Sequence, residues 1–297
     1  MMHTDKASTL AIKVSITTIF MNVMLSAFKL FSGIFSHSAA MISDALHSLS
    51  DVFTTIIVII GVKLSQKASD RTHPYGHERL ECVAAVILSG ILFMTGMGIG
   101  FYGIQKIFSP ASAFIPGTLA MIAAIISIIS KEMMYWYTRN AAKKLHSSAL
   151  MADAWHHRSD ALSSVGSLIG IIGAHLGFPI LDPLAGIIIS VFVVKAAVDI
   201  FRDAIGKMTD KSCDDTINRA MIDTILSQNG VLGIDRFCTR LFGDKIYVDV
   251  EIRADGTLSL YEAHAIAHTV HDSIEHTFSQ VKHCMVHVNP APKSKRD

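Results

Sequence analysis

Charge is what this chain has least of. Only 17% of its 297 residues are Asp, Glu, Lys or Arg, against about 25% in an ordinary soluble domain. With 51% apolar residues and a mean hydropathy of +0.43, the composition indicates a membrane protein carrying some soluble mass. Net charge is equally small at +1 and no basic patch stands out, which argues against a nucleic-acid partner. The four cysteines, Cys82, Cys213, Cys238 and Cys284, have no Cys-x-x-Cys spacing. Reduced thiols rather than a disulfide framework are therefore expected. The N-terminus lacks a short apolar core followed by a small-residue cleavage site, so no removable signal peptide is expected.

Against that background six apolar segments emerge, at about 10–34, 38–64, 81–105, 113–137, 148–175 and 179–203. Each has roughly the 20 residues needed to cross a bilayer. Only the third, from Val83 to Phe101, is an uninterrupted run. The first carries Lys13, Asn22 and Lys29, and the sixth carries Lys195. Such charges suggest helices that face one another or a wet cavity; a buried helical bundle in a soluble protein is the alternative. Lys63, Lys67, Arg71 and Arg79 follow the second segment, and Arg139, Lys143 and Lys144 follow the fourth. The links after the first and fifth contain no Lys or Arg. The positive-inside rule then places both termini and both basic links in the cytoplasm of a multi-pass cell-membrane protein.

The second and fifth segments share an octet. Residues 44–51 and 153–160 both read Asp-Ala-x-His-x-x-Ser-Asp. Residues four apart share a helix face, so His47 points with Asp51 and His156 with Asp160. Two such helices brought together offer two imidazoles and two carboxylates, a donor set suited to a tetrahedral divalent cation. Charged groups buried in a membrane are costly and usually functional, and the repetition makes coincidence a poor explanation. Asp44 and Asp153, three residues before each histidine, either orient the imidazoles or serve as helix-end charge and inter-helix contacts. His157 lies about 100° around the helix from His156 and is expected to point elsewhere.

Two further clusters are candidates for metal. Asp70, His73 and His77 lie within eight residues of the first basic link, where Gly76 permits a tight turn. Near the C-terminus stand His264, His268, His271, His276, His283 and His287, a density that suggests a regulatory metal site beside Asp235 and Glu251.

Beyond residue 205 the pattern changes. Helical spacing over 210–230 is stopped by Gly230, and 236–242 is a strand turning at Gly243-Asp244. Residues 246–252 alternate with period two, 260–278 is helical, and 281–288 is a last strand. The order α-β-β-α-β predicts a small α+β layer with helices on one face. The expected divisions are a membrane domain over 1–207, a soluble domain over 208–290 and a disordered tail over 291–297.

The octets, the Asp70-x-x-His73-x-x-x-His77 link and the α-β-β-α-β end together resemble the cation diffusion facilitator family, over nearly the whole chain. The resemblance implies an α-helical bundle of six transmembrane helices with a cytoplasmic ferredoxin-like α+β domain. It further implies a homodimer in membrane lipid and export of divalent metal with protons as counter-ion. By motif, His47, Asp51, His156 and Asp160 would be the transport site, and Asp70, His73 and His77 the loop site. The family's cytoplasmic cluster maps onto Asp235, Glu251, His264 and His287. Here the chain departs from the histidine-rich pattern: Asp235 and Glu251 stand where histidine can occur, and Asn289 where a bridging aspartate can. A single harder cation is the alternative to a dinuclear zinc pair there. Arg79 and Asp210 would interlock the two membrane domains. Two His and two Asp favour zinc as cargo over manganese, with cadmium, cobalt and ferrous iron as other candidates. The rivals are a membrane metal sensor and an intramembrane metalloenzyme, although the chain has no His-Glu-x-x-His motif.

Overall fold

The computed structural model describes residues 2–35, 39–108, 118–175 and 180–291. Contacts divide the chain into two compact units, Met1–Ile205 and Gly206–Asp297. The residues read as a disordered tail lie, from 292 on, outside the described set.

Among the described residues, the first unit contains six long helices: α1 (Met2–Phe35), α2 (Ala39–Ser65), α3 (Arg79–Phe108), α4 (Thr118–Leu145), α5 (Ser148–His175) and α6 (Leu181–Met208). Each covers one of the six apolar segments. Helices of this length reach about 40 Å at 1.5 Å per residue, enough for a hydrocarbon core of about 30 Å. Among the described residues, two stretches, Thr9–Ser32 and Arg79–Gln105, are long and apolar enough to cross a membrane.

The bundle buries polar groups beside its apolar core. On α1, Ser15, Thr18, Asn22, Ser26, Lys29 and Ser32 recur at intervals of three and four and are buried, alongside Ala11, Val14 and Leu25. The large apolar side chains point outward, with Phe20 65% and Phe31 61% exposed. Phe53, Met94 and Phe101 do the same on α2 and α3. So continuous an apolar exterior would be a liability in water and suits a lipid environment. Two of these polar groups reach across to the next helix. Ser26 Oγ donates to the Ala45 carbonyl (2.6 Å) and Lys29 Nζ to Ser48 Oγ (2.9 Å), tying α1 to α2.

Small residues set how closely the helices approach. Gly96 and Gly100 on α3 lie against Val194 and Ser190 of α6. A Cβ built on the buried Gly61 of α2 would overlap the Cβ of Ala84 on α3. Gly61→Ala is therefore expected to force α2 away from α3 and to destabilise the bundle by about 1–3 kcal/mol, as overpacking does. A melting temperature in detergent equal to that of the parent protein would show that the two helices separate freely.

The second unit contains α7 (Asp215–Leu226), β1 (Gly233–Phe242), β2 (Lys245–Ala254), α8 (Leu260–Thr277) and β3 (Val281–Pro290). The sheet order is β1-β2-β3, with β1 antiparallel and β3 parallel to the central β2. A parallel neighbour needs a crossover, which α8 supplies. The result is a ferredoxin-like arrangement lacking that fold's first strand. Alternation along β2 turns Ile246, Val248, Val250 and Ile252 into one core with Met221 and Ile225 of α7 and Val270 and Ile274 of α8. Glu251 and Arg253 alternate with these core residues. Gly230 and Gly243 both have positive φ, 87° and 66°, as the stop and turn read at those positions require. Ser259 opens α8 with a reciprocal capping box to Glu262.

Candidate metal centre

The repeated octets meet. Asp51 on α2 and His156 and Asp160 on α5 place one ligand atom each within 4.8 Å of one another. His156 Nε2 is 3.3 Å from Asp51 Oδ1 and 4.0 Å from Asp160 Oδ2. All three are withdrawn from the surface, with Asp51 2% and His156 6% exposed. Heptad-like spacing alone does not produce this; it needs α2 and α5 packed face to face at the octets. The fourth expected ligand, His47, lies on α2, but its side chain falls outside the described residues, as does that of Asp44.

The residue that sequence reasoning missed is Lys131, on α4. It is 2% exposed, and its ammonium donates to Asp51 Oδ2 and to Asp160 Oδ2, the latter at 2.9 Å. A positive group thus sits between the two carboxylates. Two carboxylates this deep in an apolar bundle need a cation nearby, and Lys131 supplies it. The available signal was weak: one lysine amid apolar residues of the fourth segment.

Asp153 Oδ1 accepts from Thr55 Oγ1 of α2 at 3.1 Å, a contact between the two octet helices. Its Oδ2 is 3.6 Å from Nε2 of His157, and both residues are fully buried. His157 is not one of the three converging ligands.

In the link between α2 and α3, Asp70, His73 and His77 also come within 4.8 Å. Asp70 Oδ1 accepts from the backbone N–H groups of Thr72 (2.9 Å) and His73 (2.8 Å). Its other oxygen meets Lys67 Nζ at 2.8 Å. The Lys67 ammonium first, then the Thr72 hydroxyl, hold the Asp70 carboxyl well below the usual carboxylate range. Gly76, with φ of 103°, lets the chain fold back so that the two imidazoles lie 4.4 Å apart. His77 Nδ1 donates to the Lys67 carbonyl (3.2 Å), which turns Nε2 toward Asp70.

In the C-terminal domain, Asp235 and Glu251 approach one another through Asn289, whose Nδ2 donates to Asp235 Oδ2 (3.0 Å) and Glu251 Oε2 (3.3 Å). Each carboxylate also has a guanidinium partner, Arg253 at 3.0 Å and Arg236 at 3.8 Å. The pairing register sets His287 opposite Glu251. His264 meets His268 edge-on along α8, with ring centroids 6.2 Å apart. Among the described residues, these four do not converge as one ligand set. The histidine-rich end instead gathers His271, Glu275 and His283. Arg79 opens α3, and Asp210 follows α6 with a positive φ of 60°.

Residues 15–208 match the family model described as the cation efflux transmembrane domain. Residues 213–291 match that described as the cation efflux protein cytoplasmic domain. The chain is 33% identical over 292 residues to metal tolerance protein 2 of Oryza sativa subsp. japonica, covering 90% of this chain and 75% of that one. It is 35% identical over 268 residues to an uncharacterised transporter of Methanocaldococcus jannaschii, with coverage of 90% and 94%. It is also 30% identical over 285 residues to the manganese efflux system protein MneP of Bacillus subtilis, with coverage of 94% and 95%.

Proposed function

This chain belongs to the cation diffusion facilitator (cation efflux) family, and we propose that it exports a divalent metal from the cytoplasm in exchange for protons. The observation that carries this reading is the convergence of Asp51, His156 and Asp160 from two repeated octets inside an apolar bundle. Such ligands bind metal only when deprotonated, so protons and metal compete for one site. Imidazole exchanges its proton near neutral pH, and the Lys131 ammonium is a second, tethered competitor. Metal that enters must displace that ammonium from Asp51 and Asp160. Protons or Lys131 must then take its place when it leaves.

Alternating access would come from rocking of the octet-bearing helices α2 and α5 against their neighbours. The working unit is a homodimer, interlocked by Arg79 and Asp210, with both termini in the cytoplasm. Zinc is the cargo we favour, on the strength of two imidazoles, His156 and His47. Manganese is the second reading, because relatives such as MneP are named as manganese efflux proteins and the described ligands include two carboxylates.

Transport by the purified protein in proteoliposomes, with zinc, manganese, cadmium, cobalt and ferrous iron in turn, tests both points. Flux with zinc fastest is expected; manganese fastest would select the second reading. Binding without flux of any cation would leave a sensor, and turnover of a bound organic substrate would leave an enzyme.

A further inference from the structure

We propose that His271, Glu275 and His283 form a separate divalent-cation site on the C-terminal domain, one that takes a borderline ion of the zinc class. His271 and Glu275 are four apart on α8 and share a face. His283 comes from the start of β3, set opposite Tyr247 by the parallel pairing with β2. His271 Nε2 and His283 Nδ1 each lie 3.3 Å from the same oxygen, Glu275 Oε1, and the two rings are 5.5 Å apart.

The backbone of Cys284 fixes two of the three ligands. Its carbonyl lies 2.7 Å from His271 Nδ1. A carbonyl only accepts, so Nδ1 carries the hydrogen and Nε2 is the atom presented to Glu275. Ligating histidines are ordinarily oriented in this way, by a hydrogen bond from the ring's other nitrogen. The Cys284 N–H donates to Glu275 Oε1 at 3.0 Å and so aims the carboxylate. The Cys284 side chain itself belongs to the apolar core and is not a ligand.

Position adds a second argument. Glu275 stands in the last turn of α8, the negative end of the helix dipole, where a carboxylate is unfavourable and a cation is stabilised. Two imidazole nitrogens and a carboxylate form a familiar set for zinc, with a coordination position left open. The side chains of His271, Glu275 and His283 are 31%, 30% and 47% exposed, so an ion can reach them from solvent. A bound ion would tie the end of α8 to the start of β3.

This site is distinct from the Asp235–Glu251 cluster, and the inference does not depend on the transport reading, since its test is binding alone. Zinc bound per full-length chain in detergent is counted by equilibrium dialysis and elemental analysis. His283→Ala and Glu275→Gln are each expected to bind one equivalent less than the parent protein. Glu275→Gln keeps both imidazoles and an oxygen that accepts from Cys284, so its loss cannot come from disrupted folding. In the parent protein, saturating zinc should also shield His271 and His283 together from carbethoxylation by diethyl pyrocarbonate, read by peptide mass spectrometry. Retention of the parent zinc count by either His283→Ala or Glu275→Gln overturns the proposal and leaves a cluster of two histidines around a carboxylate.

Discussion

Asp51→Asn and Asp160→Asn, made separately, are each expected to lower metal flux by at least about 100-fold while the protein remains folded and inserted. Substitutions one shell away from a metal typically cost roughly 10–100-fold in affinity or activity, and here a ligand itself is lost. Asparagine preserves side-chain volume, so the packing of α2 on α5 is retained. Each variant leaves Lys131 one carboxylate, Asp160 at 2.9 Å in the first case, so the buried ammonium is not stranded. Flux is followed with a fluorescent metal indicator inside proteoliposomes, with gel filtration as the check on folding. Parental flux from either variant would remove that carboxylate from the transport site.

Lys131→Met is expected to have effects of opposite sign on stability and on metal binding. Methionine matches much of the lysine's volume but leaves Asp51 and Asp160 facing each other without their shared cation. Breaking a buried ion pair by removing one partner costs about 3–5 kcal/mol, so the variant should melt well below the parent protein in the presence of a chelator. The same change removes the ammonium that a dication must displace. Metal affinity at the site should therefore rise at least about tenfold, a difference of about 1.4 kcal/mol. Added zinc should then restore much of the lost melting temperature, because a ligand that binds only the folded state stabilises it. Turnover should fall, because tightly held metal leaves slowly. Melting and zinc affinity equal to those of the parent protein would show that Lys131 does not compete with the metal.

What could be read in advance was local. The octets are legible because His-x-x-x-Asp places two ligands on one helix face wherever that helix goes, and because the pattern occurs twice in apolar surroundings. The Asp70–His77 link is legible for the same reason: its three side chains lie close in sequence and Gly76 closes the turn. Lys131 has no such neighbour. Its partners are 80 and 29 residues away, on α2 and α5, and only the packing of the helices brings them together. Thr55, the partner of Asp153, is 98 residues from it, so either role for that aspartate was consistent with the pattern. In the C-terminal domain the alternation of β2 foretold the core. Which histidine of α8 meets which residue of β3 depends on the rotation of the helix over the sheet. His271 and Glu275 are visible as an i, i+4 pair, whereas the arrival of His283 beside them is set by the β2–β3 register.

The central claim, that metal crosses in exchange for protons at the Asp51–His156–Asp160 site, is most directly tested by recording both ions in the same vesicles. Proteoliposomes carrying a metal indicator and a pH indicator in the lumen are given external zinc with no initial proton gradient. The account predicts that metal entry and lumenal alkalinisation begin together, and that Asp160→Asn abolishes both. Metal entry with no change in lumenal pH, or coupled entry that persists in Asp160→Asn, would contradict it.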